Sequence, residues 1–273
     1  MKHGKSSDKV VLITGASSGI GKSIATYLSE RNFKVYGTSR SPKDSSNNPF
    51  KFIPLDVTKK ETIVTAVESV VQKEGRIDVL INNAGVGITG PIEEIPEAEI
   101  KRAFETNYFG ALNMIKNVLP IMRSQQSGLI INITSIAGYM GLPYRGIYSA
   151  TKSALEITAE AYRMELKQFG IKMTNVAPGD FATNIASGRY HAPVIKGSPY
   201  EKVYGSTLKL MNEHVDAGKD PELMAKEILK IIHTSEPNVH YKVGERLQKI
   251  SVKLKAFLPD KLYEKMLMKH YKL

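Results

Sequence analysis

Residues 10–21 have the sequence VVLITGASSGIG, in which a short apolar run is followed at once by a glycine-rich turn. The run 10–14 has the length and β-branched composition of a buried strand, and a helical pattern follows over 20–31. Glycines permit a tight turn and let backbone N–H groups approach a phosphate at a helix N-terminus, where the helix dipole favours negative charge. The stretch therefore predicts a strand, a turn and a helix that could hold a pyrophosphate. Its spacing is GxxxGxG rather than GxGxxG, so a tight turn with nothing bound remains the alternative.

The same alternation of short strands and longer helices continues as far as residue 243. Further β-branched runs predict strands at 34–39, 50–55, 78–82, 129–134, 172–177 and, as a seventh, 238–243. Helical spacing predicts helices at 61–73, 97–119 and 148–169, and Pro120 is expected to end the second of them. Short connections between such elements imply right-handed crossovers. We therefore expect an α/β fold, a doubly wound parallel sheet of about seven strands with helices on both faces.

Composition excludes several classes of protein. The chain has 273 residues and neither cysteine nor tryptophan, which excludes disulfides, cysteine-ligated metals and thiol catalysis. The six histidines show no ligand spacing, so no metal site is expected. No apolar stretch approaches the roughly 18 residues of a membrane span, and the start of the sequence lacks a signal-peptide pattern. We expect a cytoplasmic protein.

The formal net charge is +11, and much of the excess lies near the end of the chain. Seven lysines fall within residues 249–272, opposed there only by Asp260 and Glu264. No nucleic-acid motif and no ladder of aromatic and basic residues accompanies them. The pattern favours a solvated basic helix face and predicts no nucleic-acid partner.

The second predicted strand ends in Ser39 and Arg40. A carboxylate at this point of a dinucleotide-binding unit would accept hydrogen bonds from the adenosine ribose and repel a 2′-phosphate. A hydroxyl and a guanidinium suit a phosphate instead. The residues predict NADP(H) as the cofactor, and the alternative is a solvated arginine that opens a loop.

The strongest constellation for chemistry is Tyr148 and Lys152, in the sequence YSATK. Positions i and i+4 share a helix face, and an ammonium beside a phenol favours the phenolate, which suits proton transfer near neutral pH. Such a pair also arises by chance on many helices. Ser135, at the end of the fifth strand, could hold a carbonyl oxygen, and Asn107 is a polar residue in an apolar helical register. Together they predict a site for proton transfer to a carbonyl or alcohol.

In these residues the chain resembles the short-chain dehydrogenase/reductase family over residues 8–244. The motifs stand in the family's order and spacing: Thr14 to Gly21, Asp56-Val57, Asn82 to Gly85, Asn107, Ser135, Tyr148 with Lys152, and Pro178-Gly179 with Thr183. The resemblance implies a single Rossmann-type domain and a nicotinamide dinucleotide. It also implies a homodimer or homotetramer, since family members pair through the helix that carries the catalytic tyrosine and the next one.

The resemblance further implies a role for each matching residue. Tyr148 would donate or accept the proton, Ser135 would orient the substrate oxygen, and Lys152 would serve both Tyr148 and the nicotinamide ribose. Asn107 would support a water-linked proton relay. With the Arg40 argument above, the expected cofactor contacts are Gly15, Ser17, Ser18, Gly19, Ile20, Gly21, Ser39, Arg40, Asp56, Val57, Asn83, Ala84, Gly85, Tyr148, Lys152, Pro178, Gly179 and Thr183.

The substrate is expected to be a small-molecule ketone or alcohol of hydrophobic character. Residues 138–145 precede Tyr148, and an insert at about 184–218 follows Thr183; both are rich in bulky side chains. The expected substrate contacts are Ser135, Tyr148, Tyr139, Leu142 and Ile185. In Ser39, Arg40 and its extended C-terminus, the chain resembles the branch of the family that contains NADP-linked 17β-hydroxysteroid and retinol dehydrogenases. The alternatives are a 3-oxoacyl thioester reductase and, in another class, a non-catalytic NADP-sensing regulator.

The chain divides into a predicted catalytic domain, 1–244, and a basic amphipathic helical extension, 245–273. Leu254, Phe257, Leu258, Leu262, Met266 and Leu267 form its apolar stripe. Three interpretations compete: packing on its own subunit or a neighbour, the edge of a lid, or an anchor on anionic lipid. The first is favoured, because amphipathic stripes more often face a protein core than a membrane.

Overall fold

A seven-stranded parallel sheet forms the centre of the computed structural model, which describes residues 8–41, 48–181, 188–216 and 218–273. Its order is β3-β2-β1-β4-β6-β7-β9. A separate pair of short parallel strands, β5 and β8, lies outside it. The bounds are β1 Val10–Ile13, β2 Lys34–Ser39, β3 Lys51–Pro54, β4 Val79–Asn82, β5 Ile88–Thr89, β6 Gly128–Ile133, β7 Ile171–Pro178, β8 Tyr190–His191 and β9 His240–Val243.

Helices cover both faces of this sheet, as predicted. Their bounds are α1 Gly19–Ser29, α2 Lys60–Glu74, α3 Glu97–Phe104, α4 Gly110–Gln125, α5 Gly146–Leu166, α6 Glu201–Asp216, α7 Glu222–His233, α8 Arg246–Phe257 and α9 Asp260–Tyr271. One apolar cluster packs α2, α4 and α5 on one face, and another packs α1 and α7 on the opposite face. The central strands are apolar on both faces because both are covered. The predicted α/β class, the seven strands and the helical extension are confirmed.

The prediction that Pro120 ends a helix is wrong. Helix α3 continues through a π-helical segment, Glu105–Phe109, into α4, which runs past Pro120 to Gln125. Proline removes one backbone donor, so the carbonyl of Lys116 loses its helical partner. Both Pro120 and Lys116 are exposed, so water can satisfy that carbonyl. The helix tolerates proline here because the affected turn faces solvent.

The extension packs on its own subunit through α8 and α9. Val252 and Tyr263 are buried against Ile136, Met140 and Ala177, and Leu254, Leu258 and Leu267 pack around them. Phe257, Leu262 and Met266 are exposed instead. The predicted stripe therefore divides into a packed half and an exposed half. No described helix is both long enough and apolar enough to cross a membrane.

Candidate active site

A cleft of about 600 Å³ opens beyond the carboxyl ends of β1, β2, β4, β6 and β7. In open α/β sheets this is where ligands bind, because the strand order reverses there and the loops diverge. Most of the predicted cofactor contacts line it: Gly15, Ser17, Ser18, Gly19, Ile20, Gly21, Ser39, Arg40, Asp56, Val57, Asn83, Ala84, Gly85, Tyr148, Lys152 and Pro178. Thr183 and Ile185 lie outside the described residues.

The glycine-rich turn is held tightly against the end of β4. Gly15 has a φ of +69°, and a Cβ on it would lie 2.9 Å from the Cα of Ala84. The Asn83 amide donates to the carbonyls of Thr14 and Gly15, and the Thr14 hydroxyl oxygen accepts from the backbone N–H groups of Asn83 and Ala84. Ser18 is the N-cap residue of α1, and its side chain makes no capping hydrogen bond. The turn thus leaves the first-turn N–H groups of α1 free of that cap, as a diphosphate requires.

The end of the cleft that lies beyond β2 is basic. Arg40 is exposed directly after β2, and the hydroxyls of Ser39 and Ser41 flank it. Among the described residues no carboxylate forms an ion pair with Arg40. These groups would accept a phosphate, and none of the three is a carboxylate that would repel it.

Tyr148 and Lys152 share one face of α5 and line the cleft together. The Lys152 Nζ lies 6.0 Å from the centroid of the Tyr148 ring and donates a hydrogen bond of 2.9 Å to the carbonyl of Ile133, at the end of β6. Lys152 is buried, and its ammonium retains N–H donors for a ligand because, among the described residues, only the Ile133 carbonyl accepts a hydrogen bond from it. The predicted pair is brought together by one helical turn.

Ser135 is buried at the end of β6, two residues past Ile133. Its Oγ accepts a 3.1 Å hydrogen bond from the backbone N–H of Ala137 and so caps the short 3₁₀ helix Ile136–Tyr139. An oxygen that accepts in this way keeps its own O–H to donate. Ser135 does not itself line the cleft, but it lies two residues past Ile133, whose carbonyl accepts the hydrogen bond from Lys152.

Asn107 is buried in the π-helical segment and fastens the loop between β4 and β5. Its Oδ1 accepts from the N–H of Val86 at 2.7 Å, and its Nδ2 donates to the carbonyl of Val86 and to Thr151 Oγ1. A Cβ on Gly85 would lie 3.2 Å from Asn107 Oδ1 and 3.4 Å from Lys152 Nζ. The side chain thus positions the cleft wall beside Lys152. The expected proton relay through Asn107 remains a prediction.

Two arginines near Tyr148 were not predicted as site residues. The Arg145 guanidinium lies 5.3 Å from the centroid of the Tyr148 ring, and Arg189 also lines the cleft. Burial lowers the pKa of the Arg189 guanidinium, and the positive charge of Arg145 acts in the same direction. Arg145 stands three residues before Tyr148, and this spacing could have predicted that the two side chains lie close together. Arg189 carries no local signal, since only the pairing of β5 with β8 brings it to the cleft.

Tyr139 and Leu142, predicted as substrate contacts, do not line the cleft. The Tyr139 hydroxyl lies 3.2 Å from His240 Nδ1, and Leu142 packs in the cluster that holds α8 and α9. Both side chains pack against the cluster that contains Val252 and Tyr263 of the extension. Gly179, a predicted cofactor contact, does not line the cleft either. It faces Gln248 of α8, whose amide oxygen accepts a hydrogen bond from the N–H of the next residue, Asp180.

The sequence matches the short chain dehydrogenase family over residues 9–193. The chain is 41% identical over 257 residues to a 3-ketodihydrosphingosine reductase of Bacteroides thetaiotaomicron, covering 94% of this chain and 95% of that protein. It is 29% identical over 275 residues to retinol dehydrogenase 8 of Bos taurus, covering 92% and 86%. It is 29% identical over 279 residues to an NADPH-dependent 3-dehydrocapnine reductase of Ornithobacterium rhinotracheale, covering 97% and 98%.

Solved structures agree with the fold. A short-chain dehydrogenase from Streptomyces avermitilis superposes with a TM-score of 0.80 at 32% identity, covering 94% of this chain and 98% of that one. The NADP-bound structure of ElxO superposes with a TM-score of 0.71 at 28% identity, covering 86% and 97%. The resemblance predicted from the motifs is confirmed by these matches.

Proposed function

The chain belongs to the short-chain dehydrogenase/reductase family and is an oxidoreductase, and from that premise we propose that it reduces a hydrophobic ketone to a secondary alcohol with NADPH. The observation that carries the proposal is the convergence of Tyr148 and Lys152 in one cleft with the glycine-rich turn and Arg40. Ser135 stands at the same strand end as the Lys152 anchor. The phosphate-binding end and the proton-transfer end are thus parts of one continuous space.

The residues present fit a nicotinamide dinucleotide. The first turn of α1 and the close-packed Gly15 would hold the diphosphate, and Asp56 and Val57 would border the adenine. Arg40 with the hydroxyls beside it favours NADP(H) over NAD(H). ElxO, with NADP bound, and the NADPH-dependent relative support that preference. When bound, the dinucleotide supplies the hydride.

Three side chains of the protein would handle the oxygen and its proton. The Tyr148 hydroxyl would donate its proton to the substrate oxygen as negative charge develops there. The Ser135 O–H would donate a hydrogen bond that strengthens with that charge, which is the differential stabilisation that catalysis needs. Lys152, fixed by the Ile133 carbonyl, would hold the nicotinamide ribose and place positive charge beside Tyr148.

The surroundings of Tyr148 favour an apolar substrate. Tyr148 packs in a cluster with Tyr144, Ile147 and Tyr190, and Ile88 lies buried in the same cluster. Two relatives are named for hydrophobic substrates: one for the ketone 3-ketodihydrosphingosine and the other for the alcohol retinol. We therefore propose a long-chain or otherwise hydrophobic ketone as the substrate class. A cytoplasmic location and a homo-oligomeric state remain predictions.

Turnover by a Tyr148→Phe variant tests the proposal. NADPH consumption is measured with the full chain on 3-ketodihydrosphingosine, other long-chain ketones and a 3-oxoacyl thioester. We expect the variant to lose about 10²- to 10⁴-fold in kcat, because a positioned proton donor contributes that much, while the Kd for NADPH stays nearly unchanged.

Tyr27→Phe is the matched control, since it removes a phenol hydroxyl on α1 outside the cleft. Undiminished turnover by Tyr148→Phe would falsify the assigned proton donor. Reduction of the thioester alone would favour the 3-oxoacyl reductase. NADPH binding without turnover of any carbonyl would favour a sensing role.

A further inference from the structure

Arg189 is a buried cation that makes no ion-pair contact with any carboxylate of the described residues. The residue is 9% exposed and directly precedes β8. Its Nη1 is fully buried, and within the described ranges it has neither a hydrogen-bond partner nor a carboxylate in an ion pair with it. Arginine stays protonated in proteins, so this guanidinium is charged. A buried charge without a partner is strongly unfavourable, which points to a bound anion.

The fold makes room for this guanidinium at Gly87. A Cβ on Gly87 would lie 2.8 Å from Arg189 Cγ and 2.9 Å from its Nε. The parallel pairing of β5 with β8 sets Ile88 beside Tyr190 and so carries Arg189 alongside Gly87. The arginine stem is therefore packed in place, and its charged end lines the cleft.

The charges around Arg189 give a positive site at the Tyr148 end of the cleft. Arg145 and Asp180 both act electrostatically on Arg189, and so does Tyr148. The carboxylate of Asp180 is engaged elsewhere, since its Oδ2 accepts a 2.7 Å hydrogen bond from Gln248 Nε2 on α8. Two guanidiniums thus face one carboxylate, and Lys152 adds a further positive charge to the same cleft.

The extension borders this site as well. Burial raises the pKa of the Tyr271 phenol on α9, and the Arg145 guanidinium beside it acts in the opposite direction. Tyr271 is 8% exposed. The last turn of α9 therefore shields Arg145 from solvent on one side, and a charge contact in this region is screened less than one on the open surface.

We propose that Arg189 and Arg145 form a subsite for an anionic group of the ketone substrate, a carboxylate, sulfonate or phosphate carried a few bonds from the carbonyl carbon. The guanidinium fork matches such groups with two parallel hydrogen bonds. The apolar cluster of Tyr144, Ile147 and Tyr190 would take the hydrocarbon part on the same side. This inference rests on the proposed ketone reductase function and names the head group of its substrate.

The diphosphate of the dinucleotide is the other source of an anion in this cleft. The glycine-rich turn and the N-terminus of α1 already provide a diphosphate cradle there. The groups that act on Arg189 are Arg145, Tyr148 and Asp180, none of which belongs to that turn. The placement favours the substrate, and the experiment separates the two sources.

The test compares two ketones of equal chain length, 3-oxohexadecane-1-sulfonate and 1-hydroxyhexadecan-3-one, with NADPH and the full chain. We expect the wild type to prefer the sulfonate in kcat/KM. Arg189→Gln should reduce that preference by about 10- to 100-fold, because a hydrogen-bonded charge partner is lost. The Kd for NADPH, measured by its fluorescence, should change by less than about threefold. Arg123→Gln, on α4 outside the cleft, is the matched control.

Other outcomes overturn the inference or reassign the residue. If Arg189→Gln prefers the sulfonate ketone over the hydroxy ketone as much as the wild type does, the subsite is contradicted. A higher Kd for NADPH in Arg189→Gln, with the preference for the sulfonate ketone unchanged, assigns Arg189 to binding of the dinucleotide. Arg189→Lys, which keeps the charge and loses the fork, provides the comparison if the glutamine variant does not fold.

Binding distinguishes this inference from the proposed function. Calorimetry with hexadecane-1-sulfonate, below its micellar concentration and with NADP⁺ present, measures the subsite without turnover. If hexadecane-1-sulfonate binds to the wild type but not to Arg189→Lys, and neither ketone is reduced, the subsite is upheld and the reductase function is refuted. Reduction of both ketones without discrimination and without sulfonate binding would refute the subsite alone.

Discussion

Positive charge surrounds the phenol of Tyr148 on more than one side. The Arg145 guanidinium and the Lys152 ammonium lie 5.3 Å and 6.0 Å from its ring centroid. Arg189 is near enough for the two groups to interact electrostatically. Charges fixed before the reaction stabilise negative charge that develops on a nearby oxygen, without reorganisation during the reaction. The environment of Tyr148 therefore suits the reduction of a carbonyl, in which negative charge grows on the oxygen.

The predicted preference for NADPH over NADH depends on Arg40. Arg40→Asp should lower kcat/KM for NADPH by about 100-fold and improve the use of NADH, because a carboxylate repels the 2′-phosphate and accepts hydrogen bonds from ribose hydroxyls. Initial rates with both coenzymes measure the ratio. Arg31→Asp, at a position two residues after α1 that does not line the cleft, should leave the ratio unchanged. A ratio unaffected by Arg40→Asp would contradict the assignment.

Sequence reasoning found the site residues whose relation is local. Tyr148 and Lys152 share a face because of helix periodicity, which is visible in the spacing. Arg189 and Tyr148 are brought to one cleft only by tertiary structure, through the pairing of β5 with β8. No pattern of two-residue strands could have predicted that pairing. Tyr139 was assigned to the cleft from its closeness in sequence, whereas the 3₁₀ helix directs its hydroxyl to His240.

Helix α5 is fastened to the sheet by a buried carboxylate one turn after Lys152. Glu156 accepts hydrogen bonds from the Thr134 hydroxyl and from Asn175 Nδ2, and its Oε2 lies 2.7 Å from His240 Nδ1. These partners belong to the end of β6, to β7 and to β9. A satisfied polar network of this kind fixes the register of a helix on a sheet. It thereby helps to hold Tyr148 and Lys152 in place.

The stability of this attachment should depend on pH through His240. The hydrogen bond to Glu156 raises the pKa of His240 above its ordinary 6.5, and the charges of Glu156 and Glu160 act in the same direction against burial. The stabilisation is fully present below the unfolded value and is lost as pH rises through the folded one. The free energy of unfolding of wild type minus that of His240→Gln should therefore be larger at about pH 6 than at about pH 9.

Urea denaturation of both proteins over that pH range measures the difference. The same comparison in a Glu156→Gln background is the control, since the charge that raises the pKa of His240 is then absent. The pH dependence should shrink in that background. A difference that grows as the pH rises would contradict the argument.

At the scale of elements, the sequence predicted strands and helices to within a few residues wherever apolar periodicity is strong. It failed where tertiary context overrides a local rule. Pro120 lies inside α4 because its turn is exposed, and the π-helical segment at Glu105–Phe109 has no sequence signal that we could read. That segment places the Asn107 amide against Val86, so the unpredicted backbone irregularity positions a predicted polar residue.

At the scale of the molecule, the extension contacts residues at the border of the cleft, although none of its own residues lines it. Gln248 on α8 holds Asp180 at the end of β7, and Tyr271 on α9 lies beside Arg145. The favoured interpretation, packing on the same subunit, therefore also gives the extension a place at the edge of the site. The sequence indicated an amphipathic extension of one or two helices, but which of its apolar residues are packed depends on the surface that they contact.

The remaining exposed apolar surface on α5 predicts how copies of the chain assemble. Ile157 and Met164 are 65% and 73% exposed and stand seven residues apart, so they share one face of the helix. Phe109, directly before α4, is 45% exposed.

In a two-fold interface, each of these side chains would be buried once in each subunit, and each burial contributes about 1.5–3 kcal/mol. We therefore expect a dimer or tetramer that pairs through α5 and the preceding helix, α4, whereas the resemblance implied α5 and the helix that follows it. The double variant Ile157→Glu, Met164→Glu should sediment as a monomer, because two buried carboxylates per subunit cannot be accommodated there. Leu247→Glu, at a 77% exposed position on α8, should sediment like the wild type. A wild-type monomer, or a double variant with the wild-type sedimentation coefficient, would refute this interface.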